Sequence, residues 1–178
     1  MFRRFLPGGA VAVCALLGRT LLLSGCGYRF AGAAGNRMAS GQSLWVAFIV
    51  NTTASPTAQT VIRRALLDEA HVMRGMPPAG SGASADMLVS GTLRSYSVKA
   101  VSYTAIDRAR EYRLTIEVEL ELRRRGADAP LWKGTLQAFG DFPVNADLAL
   151  QRNAEEAALE AASRTLARTF LASVEQSY

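Results

Sequence analysis

Histidine is nearly missing from this chain of 178 residues, which carries His71 alone, and cysteine is confined to Cys14 and Cys26. That set supplies too few ligands for a zinc ribbon or a Cys/His cluster, and no two cysteines stand at C-x-x-C spacing, so no protein-built metal site is expected. A single imidazole also leaves a Ser or Cys nucleophile without a base. G-x-S-x-G, a Walker loop, the dinucleotide glycine pattern and H-E-x-x-H are all absent. The chain is therefore read as no enzyme. Beyond residue 26 no stretch approaches 18 uninterrupted apolar residues, so no later segment is expected to cross a bilayer as a helix.

What is present begins at the N-terminus. A basic start at Arg3 and Arg4 precedes an apolar segment from Phe5 to Gly18, the length of a signal-peptide core and too short to span. Arg19-Thr20 interrupts it, and it ends Leu23-Ser24-Gly25-Cys26, which resembles the lipobox of bacterial lipoproteins. Small residues before the cut fit a narrow protease cleft, and only a thiol takes a diacylglyceryl thioether. The expected organisation is a signal peptide over 1–25, an acylated Cys26 with a Gly/Ala/Ser-rich flexible tether over 26–42, and one domain over 43–178. Val13 before Cys14 is too large for the same chemistry. Gly27, in place of Asp, fits release to the outer membrane, where the covalent lipid on Cys26 holds the protein on the membrane's periplasmic side.

Charge then reads differently. The whole chain carries 20 Lys+Arg against 15 Asp+Glu, but Arg3, Arg4 and Arg19 belong to the export signal, which leaves a mature excess of only +2. An exported, nearly neutral chain is not expected to bind nucleic acid.

In the mature chain, Ser43 to Val50 is a continuous apolar run that predicts a buried strand, closed by a turn at Asn51-Thr52-Thr53. Ser55-Pro56 has the form of an N-cap with Pro at the first helical position, and the spacing of Ala58, Val61, Ile62, Ala65 and Leu66 predicts a helix from Pro56 to Met73, stopped by Gly75. Arg63, Arg64, Asp68, Glu69 and His71 are read as its solvated side. Asp86 to Tyr103 is strand-like. Tyr112, Leu114, Ile116, Val118, Leu120 and Leu122 alternate with polar residues through Arg123, a strand with one face on a core and one in water. Glu117, Glu119 and Glu121 share that polar face and are read as solvated side chains. After a turn at Arg124 to Pro130, Leu131 to Phe142 predicts a strand with Trp132, Leu136 and Ala138 on one face. From about Asn153 the period becomes 3.6, with Asn153 and Glu156 resembling a capping box. The expected fold class is α+β: a four-stranded sheet covered on one face by two helices, in the order β-α-β-β-β-α.

Several of these features resemble the LptE family of lipopolysaccharide-assembly lipoproteins: Cys26-Gly27-Tyr28-Arg29-Phe30, Trp45 to Thr53, Ala85-Asp86 leading to Gly91, Glu111-Tyr112, Trp132 and the Ala/Glu-rich last helix. The resemblance implies a helix-covered four-stranded sheet that plugs the lumen of the outer-membrane barrel LptD, assists its assembly and contacts lipopolysaccharide. Lipid A phosphates need cations, and Arg152, placed just before the final helix among Ala149, Leu150 and Gln151, is similarly placed to a basic residue of the family. Arg108 and Arg110, at the turn into the long strand, form the second cationic cluster. The alternative reading is an unrelated envelope lipoprotein that scaffolds a secretion or cell-envelope complex.

Overall fold

Over residues 38–176, which the computed structural model describes, the chain runs β1 (Leu44–Val46), β2 (Val50–Asn51), α1 (Ala58–Arg74), β3 (Met87–Tyr103), β4 (Ala109–Arg124), β5 (Trp132–Pro143) and α2 (Leu148–Gln176). The signal segment, Cys14, Cys26 and most of the tether lie outside the described residues. The sheet order is β1-β3-β4-β5, with β2 continuing the line of β1 along β3. β3, β4 and β5 form an antiparallel meander, whereas β1 and β2 run parallel to β3 and reach it through the α1 crossover.

The period of two in β4 sorts its side chains as expected. Leu114, Ile116, Val118, Leu120 and Leu122 are buried on the helix side, together with Met87, Val89 and Leu93 of β3. α1 contributes Ala58, Ile62, Leu66 and Ala70 to this core, and α2 contributes Leu159, Leu166, Phe170 and Val174. The α+β class and the two helices on one face of the sheet are as the sequence predicts.

Three boundaries differ. The run from Ser43 to Val50 is not one strand. Register along β3 passes from Val46↔Val89 to Val50↔Thr92, so the edge chain carries one residue more than its partner between these points. The slack turns Ile49 inward and leaves Phe48 outward at 74% exposure. At the start of α1, Ser55 does not cap the helix. Its carbonyl accepts a hydrogen bond from Asn51 Nδ2 at 2.6 Å, and the helix begins two residues after Pro56, with Thr57 at the N-cap and no side-chain cap bond. Asn51 also ties the predicted turn together, its Oδ1 accepting from Thr53 N at 2.9 Å and its Nδ2 donating to Gln59 Oε1 at 2.9 Å.

The third difference is the larger. α2 starts at Leu148, five residues ahead of Asn153, because Asp147 is the cap: its Oδ1 accepts from Ala149 N at 2.8 Å and from Leu150 N at 3.1 Å. Gly75 does stop α1, in the left-handed region at φ 63°, with its N–H on His71 O and the next N–H, of Met76, on Ala70 O. Packing also begins before Ser43, since Met38 is buried and Gly41 N donates to Gly75 O.

Candidate functional site

The end of the sheet where β3 turns into β4 collects features that are scattered in sequence. Thr104 organises that turn: its Oγ1 accepts from Arg108 N at 3.1 Å, and its N–H donates to Arg108 O at 2.7 Å. Asp107 takes the left-handed conformation at φ 56°, which a short polar side chain tolerates. The tight turn projects Ile106 and Arg108 into solvent.

A second loop is fastened beside the first. Val144 N donates to Arg110 O at 2.9 Å, and Asn145 N donates to Gln151 Oε1 at 2.7 Å. Those two bonds, with the Asp147 cap, hold the first turns of α2 at the same end of the sheet as Arg108 and Arg110. Arg152 therefore lies inside α2 and not ahead of it, and Arg110 is the second residue of β4 and not part of the turn. The structure brings all three arginines to one end of the fold.

Their surroundings are apolar and open. Val101, Tyr103, Ile106, Leu148 and Leu150 are 42%, 59%, 72%, 65% and 56% exposed. Single exposed apolar residues mean little, but here five lie with three cations at one end of the sheet. Sequence periodicity places Val101 and Tyr103 on a strand and says nothing of Leu148 and Leu150. Register irregularities near Ala100 and Ser102 break the alternation, and the first turn of α2 faces no core.

Most other arginines are occupied. Arg94 pairs with Glu119, Arg113 with Asp141, Arg123 with Glu121, Arg64 with Asp68, Arg164 with Glu160 and Arg168 with Glu69. Among the described residues Arg108, Arg110 and Arg152 carry no ion pair, so their guanidinium groups are free to meet an anion. Arg152 adds its charge in the first turns of α2, where the helix dipole already favours anions.

The polar faces divide differently from the sequence reading. Glu119 pairs across the strands with Arg94 of β3 and Lys133 of β5, and Glu121 pairs with Lys133 across the strands and with Arg123 along β4, a ladder of charges. Hydrogen bonds first from Arg94 and then from Lys133 hold the Glu119 carboxyl below its ordinary value. Among the described residues no group of acids, His and Cys is placed to hold a metal ion. On α1, Arg64, Asp68 and His71 are exposed, but Arg63 and Glu69 are not merely solvated. Arg63 Nε donates to Val46 O at 2.8 Å, and buried Glu69 accepts both prongs of Arg168 at 2.9 and 3.1 Å, joining the helices. A shallow groove of about 290 Å³ between the helices is lined by Arg64, Asp68, Glu160 and Arg164, whose charges are paired along their own helices.

The LptE family model, described as lipopolysaccharide-assembly, matches residues 41–174, a span that holds both helices' buried faces and Arg108, Arg110 and Arg152. No curated protein matches the chain. Among solved structures, protein XCC0632 from Xanthomonas campestris is similar with a TM-score of 0.55 at 14% identity, over 78% of this chain and 88% of that one. Protein CT253 from Chlamydia trachomatis gives 0.53 at 10% identity, over 75% and 95%. The rare lipoprotein B from Shewanella oneidensis gives 0.47 at 14% identity, over 74% and 92%. At these identities the likenesses to XCC0632 and CT253 speak to the fold alone.

Proposed function

Because the chain belongs to the LptE family of lipopolysaccharide-assembly proteins, we propose that it is a non-enzymatic outer-membrane lipoprotein, anchored through a covalent lipid on Cys26, that plugs and helps assemble an LptD-type barrel and hands lipopolysaccharide toward the cell surface. The observation that carries this reading is the family match across residues 41–174. The open end of the sheet supports the lipid-handling part. An amphiphile with phosphates and acyl chains matches unpaired Arg108, Arg110 and Arg152 beside exposed Ile106, Leu148 and Leu150. The polar outer face of the sheet offers charged and hydroxyl groups to the inner wall of a barrel.

Affinity capture of the full-length protein from detergent-solubilised envelopes tests it. A large outer-membrane β-barrel of the LptD type should co-purify, and depletion of the protein should leave lipopolysaccharide inside the envelope. A chain that captures no barrel and whose loss leaves lipopolysaccharide export unchanged is a scaffold of another envelope complex. Mass spectrometry of the mature N-terminus should find an acylated Cys26. An unmodified N-terminus at another residue would refute the anchor.

A further inference from the structure

Arg152 stands three and four residues ahead of two acids, Glu155 and Glu156, the spacing at which side chains on one helix face meet. Among the described residues it pairs with neither of them. Glu156 is exposed, and an acid in open water attracts an exposed arginine only weakly. Glu155 is half-buried and is the stronger competitor, but it is committed elsewhere: its Oε1 accepts a hydrogen bond from Tyr96 Oη at 2.5 Å.

Tyr96 makes that bond from the middle of β3. Its register with Ile116 turns it to the helix side of the sheet, where its ring packs half-buried against the core. By helical spacing Glu155 heads the buried stripe that continues as Leu159 and Ala162, so its carboxylate is carried in over the sheet, where it needs a donor. Burial first, and then the bond to Glu155 and its charge, hold the Tyr96 hydroxyl protonated well beyond the ordinary tyrosine range, and a hydrogen bond with Ser55 opposes them only weakly. At neutral pH the donor is therefore always present.

We infer that Tyr96 is a positioning residue for the anion site at this end of the sheet: its hydroxyl keeps the Glu155 carboxylate turned to β3 and so leaves the Arg152 guanidinium open to a phosphate. The inference rests on the lipopolysaccharide reading of Arg152 and adds to it the reason that this charge is available. Without the hydroxyl, the nearest cation to Glu155 along α2 is Arg152, one turn away at a Cβ separation of about 5–6 Å. Pairing would cancel the cation, and a phosphate would have to displace the carboxylate before it could bind. Tyr96 itself touches no ligand and acts through Glu155. The same bond also ties the first turns of α2 to β3, and the two roles differ in the sign of their consequences.

Purified lipopolysaccharide, titrated at low salt against the full-length protein in detergent micelles, tests it. Tyr96→Phe keeps the ring and should keep the fold by circular dichroism, but it frees Glu155 and should weaken binding roughly two- to five-fold, the scale of one exposed ion pair. Glu155→Asp, one methylene short of Tyr96, keeps the acid and loses the bond, so it should weaken binding to the same extent with the tyrosine intact. Glu155→Ala breaks the same bond but leaves no acid to pair. It should bind at least as tightly as wild type, and adding Tyr96→Phe to it should change nothing further. A bond that serves only to hold α2 predicts instead that Glu155→Ala weakens binding as much as Tyr96→Phe does. That pattern, or wild-type binding by both Tyr96→Phe and Glu155→Asp, would overturn the inference. Arg152→Glu, measured in parallel, separates this failure from that of the underlying reading. If Arg152→Glu weakens binding while Tyr96→Phe and Glu155→Asp do not, only the role of Tyr96 falls; if Arg152→Glu binds as wild type does, Arg152 meets no phosphate and both fall.

Discussion

Asp86 shows how one side chain fixes the join between tether and sheet. Its Oδ2 accepts from Ser43 N at 2.9 Å and from Ser43 Oγ at 2.7 Å, fastening the start of β1 to the start of β3. These Ser43 bonds, more than the nearby Arg125, hold the carboxyl below its ordinary value of 3.8. The folded protein thus favours the ionised form. The stability this fastening contributes is fully present above the unfolded carboxylate value and is lost as pH falls through the lower folded value. Asp86→Asn should lower the thermal midpoint above about pH 5 and approach wild type near pH 2, followed by circular dichroism. A constant difference across that range would detach the effect from titration. Ile116 and Glu117 make a second contrast at this scale. They are neighbours on opposite faces of β4, Ile116 fully buried and Glu117 outside the charge ladder. Ile116→Ala should cost about 2 to 5 kcal/mol and Glu117→Ala under about 0.5 kcal/mol in denaturant titration, and similar costs would mean that both faces are covered.

Among the elements, those whose periodicity is enforced by burial are legible in the sequence, and those shaped by capping or register are not. β4 is legible because each apolar residue in it meets the core. The start of α2 is not, because Leu148 and Leu150 project outward and the buried stripe begins only at Ala158. The cap at Asp147 is chemically ordinary but lies ahead of any apolar period to announce it. The break in the first strand is hidden for a related reason: the added residue between β1 and β2 changes no composition. Gly140 is a feature of packing between elements that a one-dimensional pattern cannot display. A methyl there would meet the Ala158 carbonyl, which is backbone and cannot rotate aside. Gly140→Ala should therefore destabilise by about 1 to 3 kcal/mol through displacement of α2, despite the better strand propensity of Ala. Equal stability of the variant and wild type would show that the helix shifts at little cost.

At the scale of the whole molecule, the sequence names the three arginines but cannot show that they converge. That depends on Val144 reaching Arg110 and Asn145 reaching Gln151, the first of them a contact between segments far apart in the chain. Convergence makes a test possible that separates charge from apolar contact. Arg152 is exposed and has no ion pair among the described residues, so Arg152→Glu should leave folding and barrel association near wild type. It should weaken lipopolysaccharide binding about ten-fold at low salt, the scale of one charge-assisted hydrogen bond, and the loss should shrink as salt screens the site. Leu150→Ser should also weaken binding, but with a loss that salt does not diminish, because acyl contact is driven by burial. Arg124→Glu supplies the control. That residue is also exposed, with no ion pair among the described residues, but it lies at the other end of β4, roughly 50 Å from Arg110. If the Arg124 and Arg152 reversals weaken binding equally, the protein attracts lipopolysaccharide by net charge and the open end of the sheet is not its site.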